Sequence, residues 1–570
     1  MRASIAITLL LAPVLSHAAP PIHSARATAH PVSGTGGAVA TQEAIATRTA
    51  ADVLAAGGNA IDAAVTAGFT LAVTHPAAGN IGGGGFMLVH LADTDTTHAV
   101  DYREKAPGAA SRDMFLDPDG NPDPVRSRQS HLAVGVPGTV RGLALALEKY
   151  GTLTLSQTLA PAIELAGHGF PVSTTLAASL ASYASDFKKS PPAAAIFLKP
   201  DGSPYQTGDT LVQSDLARTL RLIADHGPDA FYRGPIASAI AADMKTNGGL
   251  ITTADLANYQ PALRQPVTGT YRGHTITSMP PPSSGGVHLV QMLNILEHFP
   301  LGDYGHNSAS AIHTAAGAMK FAYADRSRYL GDPDFVDVPV GHLTDKNYAA
   351  TLAKKIAPDK TTPSPQIAPG LGPAPAESDQ TTHFSVIDKW GNAVANTYTL
   401  NFSYGSRIVA AGTGILLNNE MDDFSAKPGT PNGFGLLGGS ANAVAPNKRM
   451  LSSMTPTLVK FPDGSLLATG TPGGSRIITT VLQVVSNTID HHLNIAEAIN
   501  APRFHHQWLP DTLYVERGIS PDTTDILTSR GHHIGPRSAM GSVQSVLYSA
   551  GRHYAAGDLR THSSLAIALP

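Results

Sequence analysis

The chain has 570 residues, which is more than one hydrophobic core usually holds, so two domains or one large layered domain are expected. Its net charge is −4 with no long block of one sign, and nothing in this balance indicates nucleic-acid binding. The sequence contains no cysteine, which excludes disulfides, thiol catalysis and cysteine metal sites.

The N-terminus has the pattern of a secretory signal peptide. A charged start at residues 1–2 precedes an apolar run over residues 5–15, and residues 16–18 match a small-x-small cleavage pattern. We therefore predict a signal peptide over residues 1–18, cut after Ala18, and a periplasmic or secreted protein. The apolar run is too short to span a bilayer, and no later stretch is long and charge-free enough to do so. An uncleaved membrane anchor is the alternative.

Helical and strand patterns alternate through the first part of the mature chain. Alanine-rich runs predict helices over residues 41–56 and 60–73, and a glycine-rich stretch at 79–85 precedes a strand-like run at 86–89. A phosphate-binding loop is not expected there, because no Gly-Lys-Ser/Thr follows and a strand comes next. Further helices are predicted over residues 138–150, 156–166 and 308–329.

A proline-rich segment divides the chain. Residues 357–380 contain six prolines and two glycines, a composition that resists helix and sheet and predicts an exposed tether. Directly after it, residues 382–387 alternate as in a strand, 388–392 form a turn, and 393–400 return as a second strand. Strands and helices on both sides of one tether fit a layered α+β domain.

Thr381 stands where this tether meets the predicted hairpin. If the bond between Gln380 and Thr381 were cut, Thr381 would carry a hydroxyl nucleophile and a free α-amino base in one residue. The α-amino group has a reference pKa near ~8, which suits base catalysis near neutral pH. The pattern alone leaves an ordinary linker and strand as the alternative.

Several polar residues have two interpretations each on pattern alone. Thr399 could orient the nucleophile or be an ordinary strand threonine, and residues 473–474 could offer backbone N–H groups to an oxyanion or form a plain turn. Arg103 could bind a carboxylate through two parallel hydrogen bonds or form a surface ion pair. Glu420 and Asp423 could be a glycosidase acid/base pair, although nothing else in the chain supports that function.

Three pairs of adjacent histidines raise the question of metal binding. They stand at 491–492, 505–506 and 532–533. Adjacent side chains on an extended segment point to opposite faces, and no carboxylate–histidine spacing of a known site accompanies these pairs. We therefore expect no metal site.

Five motifs occur together in one order. They are Gln-Thr-Thr-His at 380–383, Thr-Leu-Asn at 399–401, Leu-Asn-Asn-Glu-Met-Asp-Asp-Phe at 417–424, Leu-Ser-Ser-Met at 451–454 and Pro-Gly-Gly-Ser at 472–475. This set resembles the γ-glutamyltranspeptidases, which are N-terminal-nucleophile hydrolases, and the match runs over about residues 38–541. The resemblance implies an α+β fold built as a four-layer αββα sandwich. It also implies a large subunit, residues 19–380, and a small catalytic subunit, residues 381–570, in one interwoven domain.

The resemblance assigns a role to each candidate site residue. The catalytic group would consist of the nucleophile Thr381, its supporting Thr399, and an oxyanion hole formed by Gly473 and Gly474. The substrate-binding group would hold the α-carboxylate with Arg103, Ser452 and Ser453, and the α-amino group with Asn401, Glu420 and Asp423.

One residue departs from several bacterial members of the family. Residues 427–439 resemble the lid loop over the pocket, and those members have a tyrosine where Phe434 stands. The tyrosine hydroxyl binds the asparagine equivalent to Asn401. Phenylalanine has no hydroxyl, so we expect a lid that is closed by packing alone.

The resemblance implies a γ-glutamyltranspeptidase made as a single-chain zymogen. The γ-glutamyl group of glutathione or a related amide would pass to Thr381 as an ester, and then to water, an amino acid or a peptide, without metal or organic cofactor. One alternative is a cephalosporin (glutaryl) acylase on the same scaffold. Asn401, Glu420 and Asp423 disfavour it, because a glutaryl side chain has no amino group for them to bind. The other alternative is a non-catalytic periplasmic binder of amino acids or peptides.

Overall fold

The structure, a computed structural model, describes residues 29–367 and 381–570. The predicted signal peptide with its cut after Ala18, Gln380, and the tether beyond residue 367 lie outside these ranges. Within the described ranges, no helix is both long and apolar enough to cross a bilayer.

Helices and strands occur on both sides of Thr381. The strands are β1 (Val32–Gly34), β2 (Gly37–Thr41), β3 (Gly84–Leu91), β4 (Thr96–Tyr102), β5 (Phe170–Pro171), β6 (Thr210–Leu211), β7 (Ala262–Arg264), β8 (Val267–Tyr271), β9 (His274–Ser278), β10 (Thr382–Asp388), β11 (Ala393–Thr399), β12 (Val409–Ala410), β13 (Ile415–Leu416), β14 (Thr457–Lys460), β15 (Leu466–Gly470), β16 (Phe504–His505), β17 (Leu513–Glu516), β18 (Ile534–Arg537), β19 (Gln544–Ser549), β20 (Arg552–Gly557) and β21 (Leu565–Ala568). The helices are α1 (Ala44–Ala55), α2 (Ala60–Thr74), α3 (Pro124–Arg128), α4 (Thr139–Tyr150), α5 (Leu155–His168), α6 (Thr174–Phe187), α7 (Pro191–Phe197), α8 (Ser214–His226), α9 (Asp229–Tyr232), α10 (Pro235–Thr246), α11 (Thr253–Asn258), α12 (Gly285–Leu296), α13 (Leu301–Tyr304), α14 (Ala309–Tyr329), α15 (Val340–Leu343), α16 (Lys346–Ala353), α17 (Arg476–Ile489), α18 (Ile495–Asn500) and α19 (Pro521–Ser529).

The predicted hairpin lies at the centre of one seven-stranded sheet. Strands β10 and β11 pair antiparallel, with Thr382 opposite Tyr398, and the sheet order is β21-β2-β10-β11-β3-β4-β7. Phe384 and Val386 pack into the core on the helical side of this sheet, whereas Ile387 packs towards a second sheet. Because both faces are covered, the two strands are buried along their whole length.

The second sheet has the order β1-β20-β19-β15-β14-β9-β8 and stacks on the first. Small side chains such as Ala40, Ala395 and Ala468 fill the space between the two sheets. His383 also lies there, and its ring nitrogens are hydrogen-bonded to hydroxyls of its own sheet. Burial lowers the pKa of His383 to about 3, so this imidazole is neutral and structural.

Helices cover the outer face of each sheet. Helices α1, α2 and α4 pack on the first sheet, and α12, α17 and α18 pack on the second, which makes the four layers αββα. The backbone N–H of Ala60, at the start of α2, donates to Asp388 Oδ2 at 2.9 Å, so the hairpin turn is attached to the helix above it. The predicted α+β sandwich is confirmed.

Each sheet contains strands from both sides of Thr381. In the first sheet, β2, β3, β4 and β7 precede this residue, and β10, β11 and β21 follow it. One predicted boundary is wrong: the helix expected over residues 41–56 begins only at Ala44. The residues before it form β2, an inner strand that pairs with both β10 and β21, and Glu43 then caps the helix by accepting two backbone N–H groups.

Candidate active site

Thr381 lies directly before β10, and its side chain is buried. The hairpin register brings it beside the end of β11, where its Oγ1 is 3.4 Å from Oγ1 of Thr399. Thr399 Oγ1 also accepts a hydrogen bond of 2.8 Å from the backbone N–H of Asn401. The two threonine hydroxyls are therefore adjacent, and the second is oriented by the backbone that follows it.

A small polar cavity of about 20 Å³ lies next to Thr381. It brings together nearly all of the candidate site residues: Arg103, Thr381, Thr399, Asn401, Glu420, Asp423, Phe434, Ser452, Ser453 and Gly474. Gly473 does not line it. A cavity of this volume holds about one water molecule, so an amino-acid head can enter only if neighbouring side chains or the loop above them move.

Gly473 and Gly474 form the turn between β15 and α17. Their φ angles of +136° and +56° lie in the region that favours glycine. A Cβ atom on Gly474 would lie 2.6 Å from the ring of Phe434, so the turn can pass under this ring only as glycine. Both residues precede the N-terminus of α17, where the helix dipole favours negative charge.

Arg103 is fully buried, and its guanidinium faces three carboxylates. Nη1 donates to Glu420, Nη2 donates to Asp423, and Glu104 Oε2 lies 3.7 Å from Nη1. The two acids predicted to hold an ammonium group are thus paired with the arginine predicted to hold a carboxylate. A zwitterionic amino-acid head could replace this pair group for group, with its carboxylate on the arginine and its ammonium on the acids.

Burial and mutual repulsion shift the proton affinities of these acids. Burial raises the pKa of Glu104 to about 7, that of Asp423 to about 6 and that of Glu420 well above its ordinary value, while the charge of Arg103 opposes each rise. Burial alone would lower the pKa of Arg103, but the carboxylates outweigh it and raise the pKa above its ordinary value. All three carboxyl groups therefore take up protons more readily than exposed ones do, while the arginine stays charged.

Arg326, on α14, also lines the cavity and was not predicted as a site residue. Its Nε donates to Ser284 Oγ at 2.9 Å and its Nη2 to Ser453 Oγ at 3.1 Å, and it forms no ion pair with any residue that the structure describes. Ser452 Oγ accepts from the backbone N–H of Met454 at 3.1 Å. Because donors occupy lone pairs on both serines, each hydroxyl hydrogen is free to point towards a bound carboxylate.

Phe434 covers this cavity. Its ring stacks on Phe402 with centroids 5.0 Å apart and an interplanar angle of 10°, and it lies against Gly474. The neighbouring backbone N–H of Gly433 donates to Asp422 Oδ2 at 2.9 Å. Aromatic stacking and one backbone hydrogen bond to Asp422 therefore help to hold the loop over Thr381.

Asp422 is a second residue that sequence reasoning missed. Besides Gly433, it accepts hydrogen bonds from Ser127 Oγ at 2.6 Å and Arg128 Nε at 3.0 Å. It therefore ties the loop to α3, whereas Asp423, the next residue, faces Arg103. The adjacent positions of two acids in the sequence gave no sign of which one points into the cavity.

The comparisons with known proteins agree with this geometry. A profile of the family described as gamma-glutamyltranspeptidase matches residues 46–568. The chain belongs to this family. It is 57% identical to the glutathione hydrolase proenzyme of Escherichia coli (strain K12) over 538 residues, 94% of this chain and 92% of that protein.

Solved structures of a related acylase and of a γ-glutamyltranspeptidase superpose on this chain. A cephalosporin acylase from Bacillus halodurans superposes with a TM-score of 0.82 at 28% identity, over 97% of this chain and 99% of that one. A γ-glutamyltranspeptidase from Helicobacter pylori superposes with a TM-score of 0.57 at 48% identity, over 62% of this chain and 98% of that one. The chain is an enzyme with the N-terminal-nucleophile hydrolase fold.

Proposed function

We propose that this enzyme is a glutathione hydrolase and γ-glutamyltranspeptidase that matures by cutting its own chain between Gln380 and Thr381. The observation that carries the proposal is the hydroxyl of Thr381, which lies beside Thr399 and next to a buried arginine paired with two acids. A nucleophile beside groups of both charges suits an amide substrate with a zwitterionic head.

The proposed reaction uses the α-amino group that the cut would free. This amine takes the proton from Thr381 Oγ1 as the oxygen attacks the γ-carbonyl carbon, and the N–H groups of Gly473 and Gly474 stabilise the oxyanion. The C–N bond then breaks, the amine product leaves with the proton, and an ester remains on Oγ1. Water or a second amine attacks the ester, so that glutamate or a new γ-glutamyl amide is released and Oγ1 regains its proton.

The amino-acid head of the donor would be held by two sets of residues. Arg103, Ser452 and Ser453 would bind the α-carboxylate, and Asn401, Glu420 and Asp423 would bind the α-ammonium group. Charge-assisted hydrogen bonds of this kind are short and directional, so they would fix the γ-carbonyl against Thr381. The reaction as written needs no metal or organic cofactor.

We further propose that the precursor is exported to the periplasm or the medium. The charged and apolar start of residues 1–18 supports a signal peptide cut after Ala18. Cleavage before Thr381 would leave a large subunit, 19–380, that ends in the tether at 357–380, and a small subunit, 381–570. The description of the similar Escherichia coli protein as a proenzyme supports a processed precursor.

A cephalosporin acylase is the second candidate, because one of the similar solved structures has that activity. A glutaryl side chain has a carboxylate but no ammonium group. Glu420 and Asp423 would then stay paired with Arg103 and compete with the substrate carboxylate for it. This competition favours γ-glutamyl donors. A non-catalytic binder is disfavoured by membership of an enzyme family.

The first prediction tests maturation and activity together. Thr381→Ala is expected to give one full-length band on a denaturing gel and no release of glutamate from glutathione, whereas the wild type gives two bands. N-terminal sequencing of the smaller wild-type band should begin at Thr381. The matched control is Thr382→Val, because the buried hydroxyl of Thr382 has no hydrogen-bonding partner among the described residues and its loss should be nearly neutral. Two bands from Thr381→Ala would rule out self-cleavage by this hydroxyl.

A further inference from the structure

Thr381 separates two cavities. Besides the small one beside Arg103, a cavity of about 270 Å³ lies against Thr381, and Thr381 is the residue that lines both. The larger cavity is formed by the loop after β2, the end of α2, the first turns of α6 and the segment that follows β20. Its position gives the nucleophile a second, roomier side that the amino-acid head does not need.

An amide substrate also has two sides. The acyl side carries the amino-acid head, and the amine side leaves during the first step and is replaced during the second. We infer that the larger cavity binds the amine side: the leaving amine of the donor, and then an amino acid or short peptide that accepts the γ-glutamyl group. This inference rests on the proposed function and adds the site of the second substrate to it.

A buried polar group in the cavity wall supports this assignment. Gln42 lines the cavity, is only 6% exposed, and its Oε1 has no hydrogen-bonding partner in the part of the chain that the structure describes. Buried acceptors in native proteins are almost always paired, so an orphan of this kind marks a place where a ligand or a water donates a hydrogen bond. The N–H groups of an amino acid or peptide are suitable donors.

The charges around the cavity are already matched by protein groups. The carboxylate of Glu43 accepts from two backbone N–H groups and from Thr74 Oγ1, and the guanidinium of Arg560 is paired with Glu516 and Asp558. Burial lowers the pKa of His75 to about 4, so that imidazole is neutral. The described wall of the cavity therefore presents no uncompensated charge, which suits a ligand with little net charge, such as an amino acid or a dipeptide, better than a strongly charged one.

The size of the cavity fits this class of ligand. At about 30 Å³ for each water in the liquid, it has room for several water molecules, and hence for an amino acid or a dipeptide. In the transfer step, the amine nitrogen attacks the carbonyl carbon of the Thr381 ester. The C–N bond forms as the bond to Oγ1 breaks, and the proton of the amine passes to the α-amino group and then to Oγ1.

The test compares donors that differ on the amine side. Glutamine releases only ammonia, whereas glutathione releases a dipeptide, and glycylglycine serves as a dipeptide acceptor. Thr175→Trp should fill the cavity from α6, where Thr175 is half-buried in its wall. We expect kcat/KM for glutathione, and for glycylglycine as acceptor, to fall at least tenfold more than kcat/KM for glutamine.

The matched control is Thr174→Trp, the same substitution at the preceding, exposed position of α6, which does not line the cavity. It should leave all three rates near those of the wild type. Gln42→Leu is a second variant that removes the unpaired carbonyl without adding bulk. It should raise the KM for glycylglycine by about three- to tenfold, while kcat/KM for glutamine stays near that of the wild type.

Each outcome decides between the two claims. A selective loss in Thr175→Trp, or in Gln42→Leu if the larger residue prevents folding, supports the amine-side cavity. An equal loss for all donors and acceptors, or no loss in either variant, overturns it while the proposed function stands. A wild-type enzyme that releases neither ammonia from glutamine nor glutamate from glutathione would instead overturn the proposed function, and the cavity would then have no such role.

Discussion

At the scale of single residues, the charges around Arg103 are arranged to exchange partners. Burying an unpaired guanidinium or carboxylate is costly, and here each charge compensates the other. A bound zwitterion would pair its carboxylate with the arginine and its ammonium group with the acids, so the buried charges stay paired before and after binding. The cluster contains three acids and one arginine, and this excess of acid makes its charge depend on pH.

This excess of acid predicts a pH dependence. Below about pH 6 Asp423 takes up a proton, the negative charge that would bind the substrate ammonium is lost, and kcat/KM for a γ-glutamyl anilide should fall as the pH falls. The measurement is kcat/KM between about pH 5 and pH 8, with each sample returned to neutral pH to show that the loss is reversible. A profile that is flat below about pH 7 would contradict the prediction.

Asp423→Asn is the variant that tests which group causes this loss. An amide keeps an oxygen for the ammonium group but cannot take up a proton, so kcat/KM should be lower at every pH and its fall below about pH 6 should become shallower. An acidic limb of the wild-type shape and position in this variant would mean that a group other than Asp423 causes the loss.

The sequence predicted which residues meet at this site but not how they pair. The resemblance to the γ-glutamyltranspeptidases placed Arg103, Glu420 and Asp423 in one substrate pocket, although the first two are 317 residues apart. Their mutual ion pair was not predictable, because a motif names residue types and says nothing of distances between side chains. Arg326 was missed because α14 is otherwise typical of a buried alanine-rich helix, and its contacts with Ser284 and Ser453 come from distant loops.

At the scale of elements, the loop over Thr381 is held by the stacking of Phe434 on Phe402 and by hydrogen bonds of its backbone to Asp422 and Gln507, so the expected closure by packing alone is not what the structure has. Asn401, the partner expected for a tyrosine hydroxyl, donates its Nδ2 to the backbone of Asn419 at 2.9 Å instead. Its Oδ1 would be the atom for a tyrosine to reach. A neutral hydrogen bond of this kind contributes about 0.5–1.5 kcal/mol, or a factor of roughly 2–13 in the ratio of closed to open loop.

Phe434→Tyr should therefore close the loop more often and shield the ester from water. We expect hydrolysis to fall relative to transfer to glycylglycine, measured as the partition ratio at a fixed acceptor concentration with saturating donor. Phe402→Tyr is a suitable comparison, because it adds a hydroxyl to the other ring of the stack. An unchanged ratio in Phe434→Tyr would show that the existing contacts already close the loop, and a shift towards hydrolysis would mean that the added hydroxyl disturbs the site.

The hairpin shows why secondary structure set by local sequence was easier to predict than structure that depends on pairing between distant segments. The alternation from Thr382 to Ile387, the turn at Asp388 and the returning strand were all present in local sequence, and the structure has them. The start of α1 was not, because Gly37–Thr41 becomes a strand only through pairing with β10 and β21. Thr41 was predicted as the first residue of the helix but is the last residue of this strand, so pairing across the sheet moved the boundary.

At the scale of the whole molecule, a buried ion pair between α14 and the C-terminal part of the chain also anchors the start of the tether. Lys320 Nζ lies 2.8 Å from Asp511 Oδ1, and Asp511 also accepts from the N–H and the hydroxyl of Ser364. The indole N–H of Trp508 donates to the carbonyl of Ser364 at 2.9 Å. These contacts fix the chain before residue 367 against segments that lie beyond the proposed cut.

Asp511→Asn should destabilise the protein, because Lys320 would keep a buried charge without its partner. Breaking a buried pair costs about 3–5 kcal/mol, and the partial exposure of Asp511 places the expected loss at the lower end of this range. The measurement is the midpoint of thermal unfolding, which should fall by several degrees. A double variant, Lys320→Met with Asp511→Leu, should recover most of the loss, whereas equal midpoints for wild type and Asp511→Asn would show that water already screens the pair.

Because both sheets contain strands from each side of the proposed cut, we expect the mature enzyme not to refold readily once it has unfolded. Neither sheet can be completed by residues 19–380 or by residues 381–570 alone, since each sheet contains strands from both segments. If the bond before Thr381 is cut as proposed, the continuous chain that folded into this arrangement no longer exists, and refolding would require two separate chains to associate. The working lifetime of the enzyme is then set by its rate of unfolding and not by its equilibrium between folded and unfolded states. Each lost molecule must be replaced from a newly made precursor.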